Sequence, residues 1–315
     1  MSMLSAGGQR WDQREASPDL AKTLANQLQL HPLVAHCLAL RVSDTDQARD
    51  WLRPSMTHLH DPHLIAGMPT AIARIETAVR SDERIRIVTD YDVDGTTSSL
   101  VLQSTLRILG VGDRLDYHIP DRFLEGYGFS VIAAEKAAED GIGLIITADI
   151  GVRDHAAVSR AAASGVDVII CDHHLPDGAS VPEDAHAVLC PPQDGCPYPN
   201  KALAAVGVSL KLAQALLEAH PRREAILRSM LKVAAIGTVA DVVDLSTPEN
   251  RAIVAHGIQG LRAGRHAPGL HALLEVAGVQ GEVTSEDLGF RLGPRINAAG
   301  RLAKATSVIE LFDER

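Results

Sequence analysis

Between residues 84 and 190, short apolar runs alternate with longer amphipathic ones. RIRIVTD, RLDYHIP, GLIITAD, VDVIICD and HAVLC read as strands; TTSSLVLQSTLRILG, SVIAAEKAAEDG and DHAAVSRAAASG read as helices. The strands are nearly continuous in apolar residues, the pattern of a parallel sheet covered on both faces. Strand–helix alternation with right-handed crossovers predicts an α/β fold, a parallel sheet flanked by helices. Earlier in the chain, LAKTLANQLQL and DTDQARDWL have helical spacing, and proline-bearing turns follow at RPSM and HDPHL. After residue 200 the pattern is mainly helical, through NKALAAVGVSLKLAQALLEAH and REAILRSMLKVAAIGTVADVV. TPENRAIVAHGIQGLR opens another helix, with Thr247 as cap, Pro248 at the first position and Glu249 in the first turn. Three regions are expected: a helical N-terminal region over 1–75, an α/β domain over 76–245 and a helical extension over 246–315. SVIELFDER reads as an amphipathic helix with no capping glycine, so the natural protein is expected to continue past it.

Composition narrows the class. Hydrophobic residues at 46% and charged residues at 22% are those of a packed globular chain. No run is apolar enough to span a membrane, and the N-terminus turns polar before a secretory signal can form. Cys37, Cys171, Cys190 and Cys196 fit a reducing cytoplasm, and their spacing is poor for a structural zinc site. A net charge of −10 argues against a surface that binds polyanions everywhere. It leaves room for a nuclease, because a carboxylate cluster that binds cations is itself negative.

The chemistry-bearing residues lie where the strands run out. The first strand ends in Asp90-Tyr91-Asp92-Val93-Asp94-Gly95-Thr96, the third in Thr147-Ala148-Asp149-Ile150-Gly151 and the fourth in Cys171-Asp172-His173-His174. A helical stretch adds Gly237-Thr238-Val239-Ala240-Asp241. Ligands of open parallel sheets bind beyond the carboxyl ends of the strands, so these segments are expected to converge. Carboxylates gathered there repel one another unless a divalent cation joins them. Oxygen-rich sites with one or two imidazoles suit Mn²⁺ or Mg²⁺. Two such ions about 3.5–4 Å apart are the usual machinery of phosphoester hydrolysis.

Other readings exist for the pieces. Asp90 to Gly95 could open a calcium loop, but position 12 is Val101, where a Glu is needed. Asp92 and Asp94 could be the nucleophile and acid of a haloacid-dehalogenase-like phosphatase, with Lys136, Lys201 or Lys211 as the downstream lysine. That leaves His173 and His174 without a role. Asp149 could cap a helix and Asp172 could end a strand in a turn. There is no GxxxxGK[ST] loop and no GxGxxG at a strand–helix turn.

Taken in order, DYDVDG, TADIGV, CDHH and GTVADVVDL resemble the four motifs of the DHH phosphoesterase superfamily. IPDRFLEGYGFS, YPNKALAAVGVSLKL, Asn250-Arg251 and GPRINAAGRL are similar to segments of one branch, the RecJ-like single-strand-specific 5′→3′ exonucleases. So are RWDQRE and LRPSMTHLHDPHLIAGM near the N-terminus. The resemblance implies two divalent cations, Mn²⁺ or Mg²⁺, held by Asp90, Asp92, Asp94, Asp149, His173 and Asp241. Asp92 and Asp94 would sit on separate ions, Asp149 would bridge, and His173 and Asp241 would complete the second ion. Asp90 would be either a ligand or a support behind the ligands. His174 would touch the scissile phosphate or act as an acid, with Asp172 orienting the histidines. Arg122, Arg295 and Arg301 would contact phosphates, Asn297 would cap a helix, and Phe123, Tyr127 and Phe129 would stack a base or anchor a turn.

The implied activity is hydrolysis of single-stranded DNA from the 5′ end, releasing mononucleotides, in recombination and repair. Implied partners are single-stranded DNA, a single-strand-binding protein and a helicase. Alternatives are a DHH phosphoesterase acting on short oligonucleotides or cyclic dinucleotides, and a non-catalytic scaffold. Thr89 and Ala205 stand where the family usually has Gly, and Asp244 where it has Pro; none is a ligand position. The family continues into a substrate-binding domain and an OB-type domain that this sequence lacks, which implies weaker hold on DNA. Asp94→Ala is expected to abolish activity and, by relieving repulsion, to stabilise the cation-free chain.

Overall fold

Ile85, Ile87, Leu144, Ile146, Ile169 and Cys171 face one side of a sheet; Val88, Ile145, Val168 and Ile170 face the other, and all are buried. This period-two division with both sides apolar requires a covering layer on each face. The computed structural model describes residues 2–4, 10–12, 14–120, 126–178, 180–279, 281–302 and 306–313, without the side chains of 2–12 and 300–302. It divides into two compact units, Met1–Ser55 and Met56–Arg315.

The smaller unit includes a pair of antiparallel strands, β1 (Ser2–Leu4) and β2 (Arg10–Asp12), which the hydrophobic pattern did not reveal. Helices Pro18–Gln27, Pro32–Ala39 and Thr45–Leu52 follow and bury Leu24, Ala35, Leu38 and Ala48. Ser17 and Asp44 cap the first and third of these through their side-chain oxygens.

The larger unit holds five parallel strands: β3 (Ile85–Thr89), β4 (Leu115–His118), β5 (Leu144–Ala148), β6 (Asp167–Cys171) and β7 (Ala187–Leu189). Their order is β4-β3-β5-β6-β7. Helix Val93–Ile108 and helix Ala205–Leu216 lie against the first face, packed on helix Arg223–Ala240. Helices Val131–Glu139 and His155–Ala163 cover the second. The fold is therefore the expected α/β sheet flanked by helices, with helical extensions at both ends. Helix Met68–Arg80 crosses residue 75 and contributes Met68, Ala71 and Ile75 to the main core.

The connection that leaves β3 runs to β4 on one side, and the connection that leaves β5 runs to β6 on the other. The crevice of such a sheet opens at this reversal, beyond the carboxyl ends of β3 and β5. Register fixes what meets there: Thr89 pairs with Ala148, and Ala148 with Cys171. Asp90, Asp149 and Asp172 therefore follow directly from three neighbouring strands.

Helix Pro248–Arg262 begins as predicted, with Asn250 N–H donating to Thr247 Oγ1 and Pro248 at the first position. It packs on helix Arg223–Ala240. Beyond it lie helix Pro268–Val276, a π-helical turn Leu288–Leu292, and helices Gly293–Leu302 and Thr306–Asp313. No described helix is long and apolar enough to cross a membrane. All four cysteines are free thiols, three of them buried.

Candidate metal centre

β3 passes into helix Val93–Ile108 within four residues, and three carboxylates fall in that short span. Asp90 Oδ1 accepts the Tyr91 N–H at 2.8 Å. Asp92 is the helix N-cap, its Oδ1 accepting the Gly95 N–H at 3.0 Å. Gly95 is needed here, because a Cβ would stand 2.8 Å from the Asp90 backbone nitrogen. Asp94 is 1% exposed and points at the start of helix Ala205–Leu216. Ala205 N–H donates to its Oδ2 at 2.7 Å and Val206 N–H to its Oδ1 at 2.9 Å. First-turn amides have no partner within their own helix and favour negative charge, so they suit a buried carboxylate.

Asp149 follows β5 with φ of +64°, a left-handed conformation that Asp tolerates better than most residues. Its N–H donates to the Cys171 carbonyl at 3.0 Å, locking it to the neighbouring strand end. Asp172, after β6, organises the DHH turn. Its Oδ1 accepts the backbone N–H groups of His173 (2.7 Å) and His174 (3.1 Å) and contacts His174 Nδ1 at 2.8 Å. Its Oδ2 accepts the Val152 N–H at 3.0 Å. Asp241 closes helix Arg223–Ala240, and Val242 after it is β-branched with φ of +58°, a strained conformation next to the site.

These side chains converge. Donor atoms lie within 4.8 Å of one another in three groups: Asp90, Asp92 and Asp149; Asp94, His173 and Asp241; Asp149, His173 and His174. His173 Nε2 lies 3.2 Å from Asp149 Oδ1 and 3.9 Å from Asp94 Oδ2. His173 Nδ1 lies 3.7 Å from Asp241 Oδ2. His174 Nδ1 is 3.9 Å from Asp149 Oδ1.

Without a cation this arrangement is electrostatically strained. Burial, then the carboxylates of Asp241 and Asp92, holds Asp94 well above the usual carboxylate range. Burial, then Asp94 and Asp92, does the same to Asp149. Asp241 is pushed up to about 6 by burial and by Asp92. Asp172 behaves differently: burial alone would raise it, but the His174 side chain and the backbone donors prevail and lower it. Burial and the neighbouring His174 lower His173, which favours the neutral, ligating imidazole. The Asp172 hydrogen bond raises His174 despite burial.

The donor set fits divalent cations. His173 Nε2 is buried and makes no hydrogen bond, although Asp149 is within ion-pair distance, so its geometry leaves that nitrogen for another partner. Carboxylate oxygens dominate the donor set as a whole, which suits Mn²⁺ or Mg²⁺.

Asp90, Asp92, Asp94, Asp149, His173, His174 and Asp241 are thus brought together, with Asp172 directly behind the histidines. Arg122 and Phe123 lie outside the described residues. Arg295 is exposed and donates to the Arg291 carbonyl at 2.9 Å, within its own chain segment. Arg301 lies on helix Gly293–Leu302, and its side chain is outside the description. Asn297 sits inside that helix, so the expected cap is corrected: the helix begins four residues earlier. Phe129 is buried and anchors the turn, its N–H held by Asp154 at 2.8 Å, while Tyr127 is exposed.

The dehalogenase-like reading loses its lysine. Lys136 pairs with Asp140, Lys201 binds the Pro191 and Cys196 carbonyls, and Lys211 is buried against Glu249. Sequence reasoning missed the Ala205 and Val206 amides, which carry no side-chain signature. It also missed why Gly237 precedes Asp241 by one helical turn: a Cβ there would stand 2.9 Å from Val206 Cγ1 and 3.1 Å from Asp94 Oδ1.

The family model for the DHH family, N-terminal domain, matches residues 84–238, the span that carries Asp90, Asp92, Asp94, Asp149, Asp172, His173 and His174; Asp241 follows it closely. The single-stranded-DNA-specific exonuclease RecJ of Bacillus subtilis is 42% identical over 309 residues, 98% of this chain and 38% of its own length. The chain belongs to the DHH family. Within it, the RecJ-like branch is the one it resembles in structure as well. A crystal structure of exonuclease RecJ bound to manganese superposes with a TM-score of 0.70 at 32% identity, covering 82% of this chain and 62% of that one. RecJ from Thermus thermophilus in complex with Mn²⁺ gives 0.75 at 29% identity, covering 95% and 42%. The same protein with Mg²⁺ gives 0.64 at 27% identity, covering 95% and 38%. This DHH chain therefore spans about two fifths of the curated RecJ relative it matches over nearly its whole length.

Proposed function

We propose that this chain is the catalytic part of a RecJ-like exonuclease, a two-metal phosphodiesterase that degrades single-stranded DNA from its 5′ end. The observation that carries the reading is the buried, unpartnered His173 Nε2 facing Asp149 and Asp94 in a pocket of carboxylates. Asp90, Asp92 and Asp149 would hold one divalent cation, and Asp94, His173 and Asp241 the other, with Asp149 close to both. When bound, such ions supply a nucleophile near neutral pH and neutralise charge on the phosphoryl oxygens.

The protein's own groups do the rest. Ala205 and Val206 fix the Asp94 carboxylate, and Asp172 fixes the DHH turn. His174, its proton retained by Asp172, is placed to donate to a phosphate oxygen or to the leaving oxygen. Arg122, Arg295 and Arg301 remain the proposed phosphate contacts. The 76–245 region would then be the catalytic domain, and recombination and repair the setting, with Mn²⁺ or Mg²⁺ as cofactor.

The deciding assay gives the chain Mn²⁺ with 5′-labelled long single strands, duplexes and dinucleotides. Mononucleotides released from the 5′ end of long single strands support the reading. Cleavage of dinucleotides alone replaces it with a short-substrate phosphoesterase. No cleavage by a chain that binds Mn²⁺ contradicts catalysis by this part on its own.

A further inference from the structure

Behind the acid cluster lies a second polar assembly, built from residues other than the proposed ligands. Tyr198, Lys211, Glu249 and Asn250 are fully buried, and Asn200 nearly so. Glu249 Oε1 accepts from Tyr198 OH (2.7 Å), from Lys211 Nζ (2.7 Å) and from the His60 N–H (3.0 Å). Glu249 Oε2 accepts from Asn200 Nδ2 at 3.2 Å. Asn200 Nδ2 also donates to Asn250 Oδ1 at 3.0 Å, and Asn200 Oδ1 accepts the Ala202 N–H at 3.1 Å. A buried ion pair by itself is weak evidence for stability, and a fully bonded network specifies geometry instead.

What this one specifies is visible at Asn250. Its Nδ2 uses both hydrogens on backbone carbonyls, Ala202 O at 2.6 Å and Asp244 O at 3.0 Å. Ala202 stands three residues before Ala205, whose N–H holds the Asp94 carboxylate. Asp244 stands three residues after Asp241. Two chain segments that frame the site, one supporting Asp94 and one carrying Asp241, are thus tied to a single amide. Asn250 is held in turn by Asn200, and its neighbour Glu249 by Lys211 and Tyr198.

We propose that Asn250 is a positioning residue for the centre: it sets the distance between the Ala202–Val206 segment and the Asp241–Asp244 segment, and so the closing of the Asp94–His173–Asp241 group on its cation. This rests on the reading of that group as a metal site. Asn250 touches neither ion nor substrate and acts through the backbone of both segments.

The test is a double-mutant cycle read by Mn²⁺ titration, with calorimetry and the electron paramagnetic resonance of free Mn²⁺ as readouts. Asn250→Asp keeps the shape and the Asn200 bond and removes both donations; Asn250→Ser is the milder second variant. The wild-type chain should bind Mn²⁺, and Asn250→Asp should lower the affinity about tenfold. Asp241→Asn should also lower it, and the double variant should lose little more, because both changes disable one group. Combined with Asp92→Asn, the loss should instead be additive. Thermal unfolding in EDTA should show each variant folded at the assay temperature.

Unchanged affinity in Asn250→Asp overturns the proposal. So do losses that add in the Asn250–Asp241 pair, and so does failure of both Asn250 variants to fold, which would make the network a folding determinant only. A wild-type chain that takes up no Mn²⁺ overturns the reading of the site itself, a result distinguishable from all of these.

Discussion

His173 Nε2 and Asp149 Oδ1 lie 3.2 Å apart, yet no hydrogen bond joins them. Both atoms are buried, and the imidazole nitrogen is left open to a further partner beside the Asp149 carboxyl, the place a shared cation would take. We therefore expect His173→Ala to lower Mn²⁺ affinity by well over tenfold, since ligand loss exceeds the ~10–100-fold effect of losing a supporting group. Titration calorimetry checks this, and an unchanged affinity contradicts it.

Asp241 gives a pH dependence with a definite sign. Its carboxyl is raised from 3.8 to about 6 by burial and by Asp92. Between those values the folded, cation-free chain holds a proton that the unfolded chain has released. The Asp241 contribution to stability in EDTA should therefore fall as pH rises from about 4 to 6 and then level off. Asp241→Asn should flatten that part of the profile and stabilise the cation-free chain at pH 7.5 by about 1–3 kcal/mol. Urea melts across pH measure both.

Metal affinity should run the opposite way. A protonated Asp241 is no ligand, so its titration should make Mn²⁺ affinity climb between about pH 5 and 7, and its share of the protons released on binding should shrink toward pH 7.5. Calorimetry in buffers of different ionisation enthalpy counts those protons.

Asp94→Ala should destabilise the cation-free chain, the reverse of what repulsion alone suggests. Two buried amides, Ala205 N–H and Val206 N–H, lose their acceptor. Each orphaned donor costs about 1–3 kcal/mol, enough to outweigh the relief of carboxylate repulsion. A lower urea midpoint in EDTA confirms it; a higher one restores the electrostatic view.

Asp172→Asn should lower the titration midpoint of His174, because the hydrogen bond and charge that raise it are weakened. His174 should then be charged only at lower pH, and the alkaline limb of any activity should move down with it. The imidazole proton resonances of His174 report this without an activity assay.

Much of the site was legible because its chemistry resides in side chains at strand ends. RIRIVTD, GLIITAD and VDVIICD are apolar on both faces, which announces buried parallel strands, and the aspartates that follow have no reason to end such strands together unless they share a ligand. The order β4-β3-β5-β6-β7 was not legible, because apolar runs do not name their neighbours. Nor was the left-handed backbone of Asp149, which depends on its bond to Cys171. The helix expected from residue 200 begins at Ala205 because Asn200 and Ala202 are bound into the Glu249–Asn250 network. Glu249 read as a first-turn acid is in fact the buried partner of Lys211, a pairing set by tertiary packing across 38 residues of chain.

The most direct measurement is an anomalous difference map from crystals of this chain grown with Mn²⁺. Two peaks about 3.5–4 Å apart, one among Asp90, Asp92 and Asp149 and the other among Asp94, His173 and Asp241, are the expected result. An empty pocket at saturating Mn²⁺, or peaks only elsewhere on the surface, would contradict the two-metal centre.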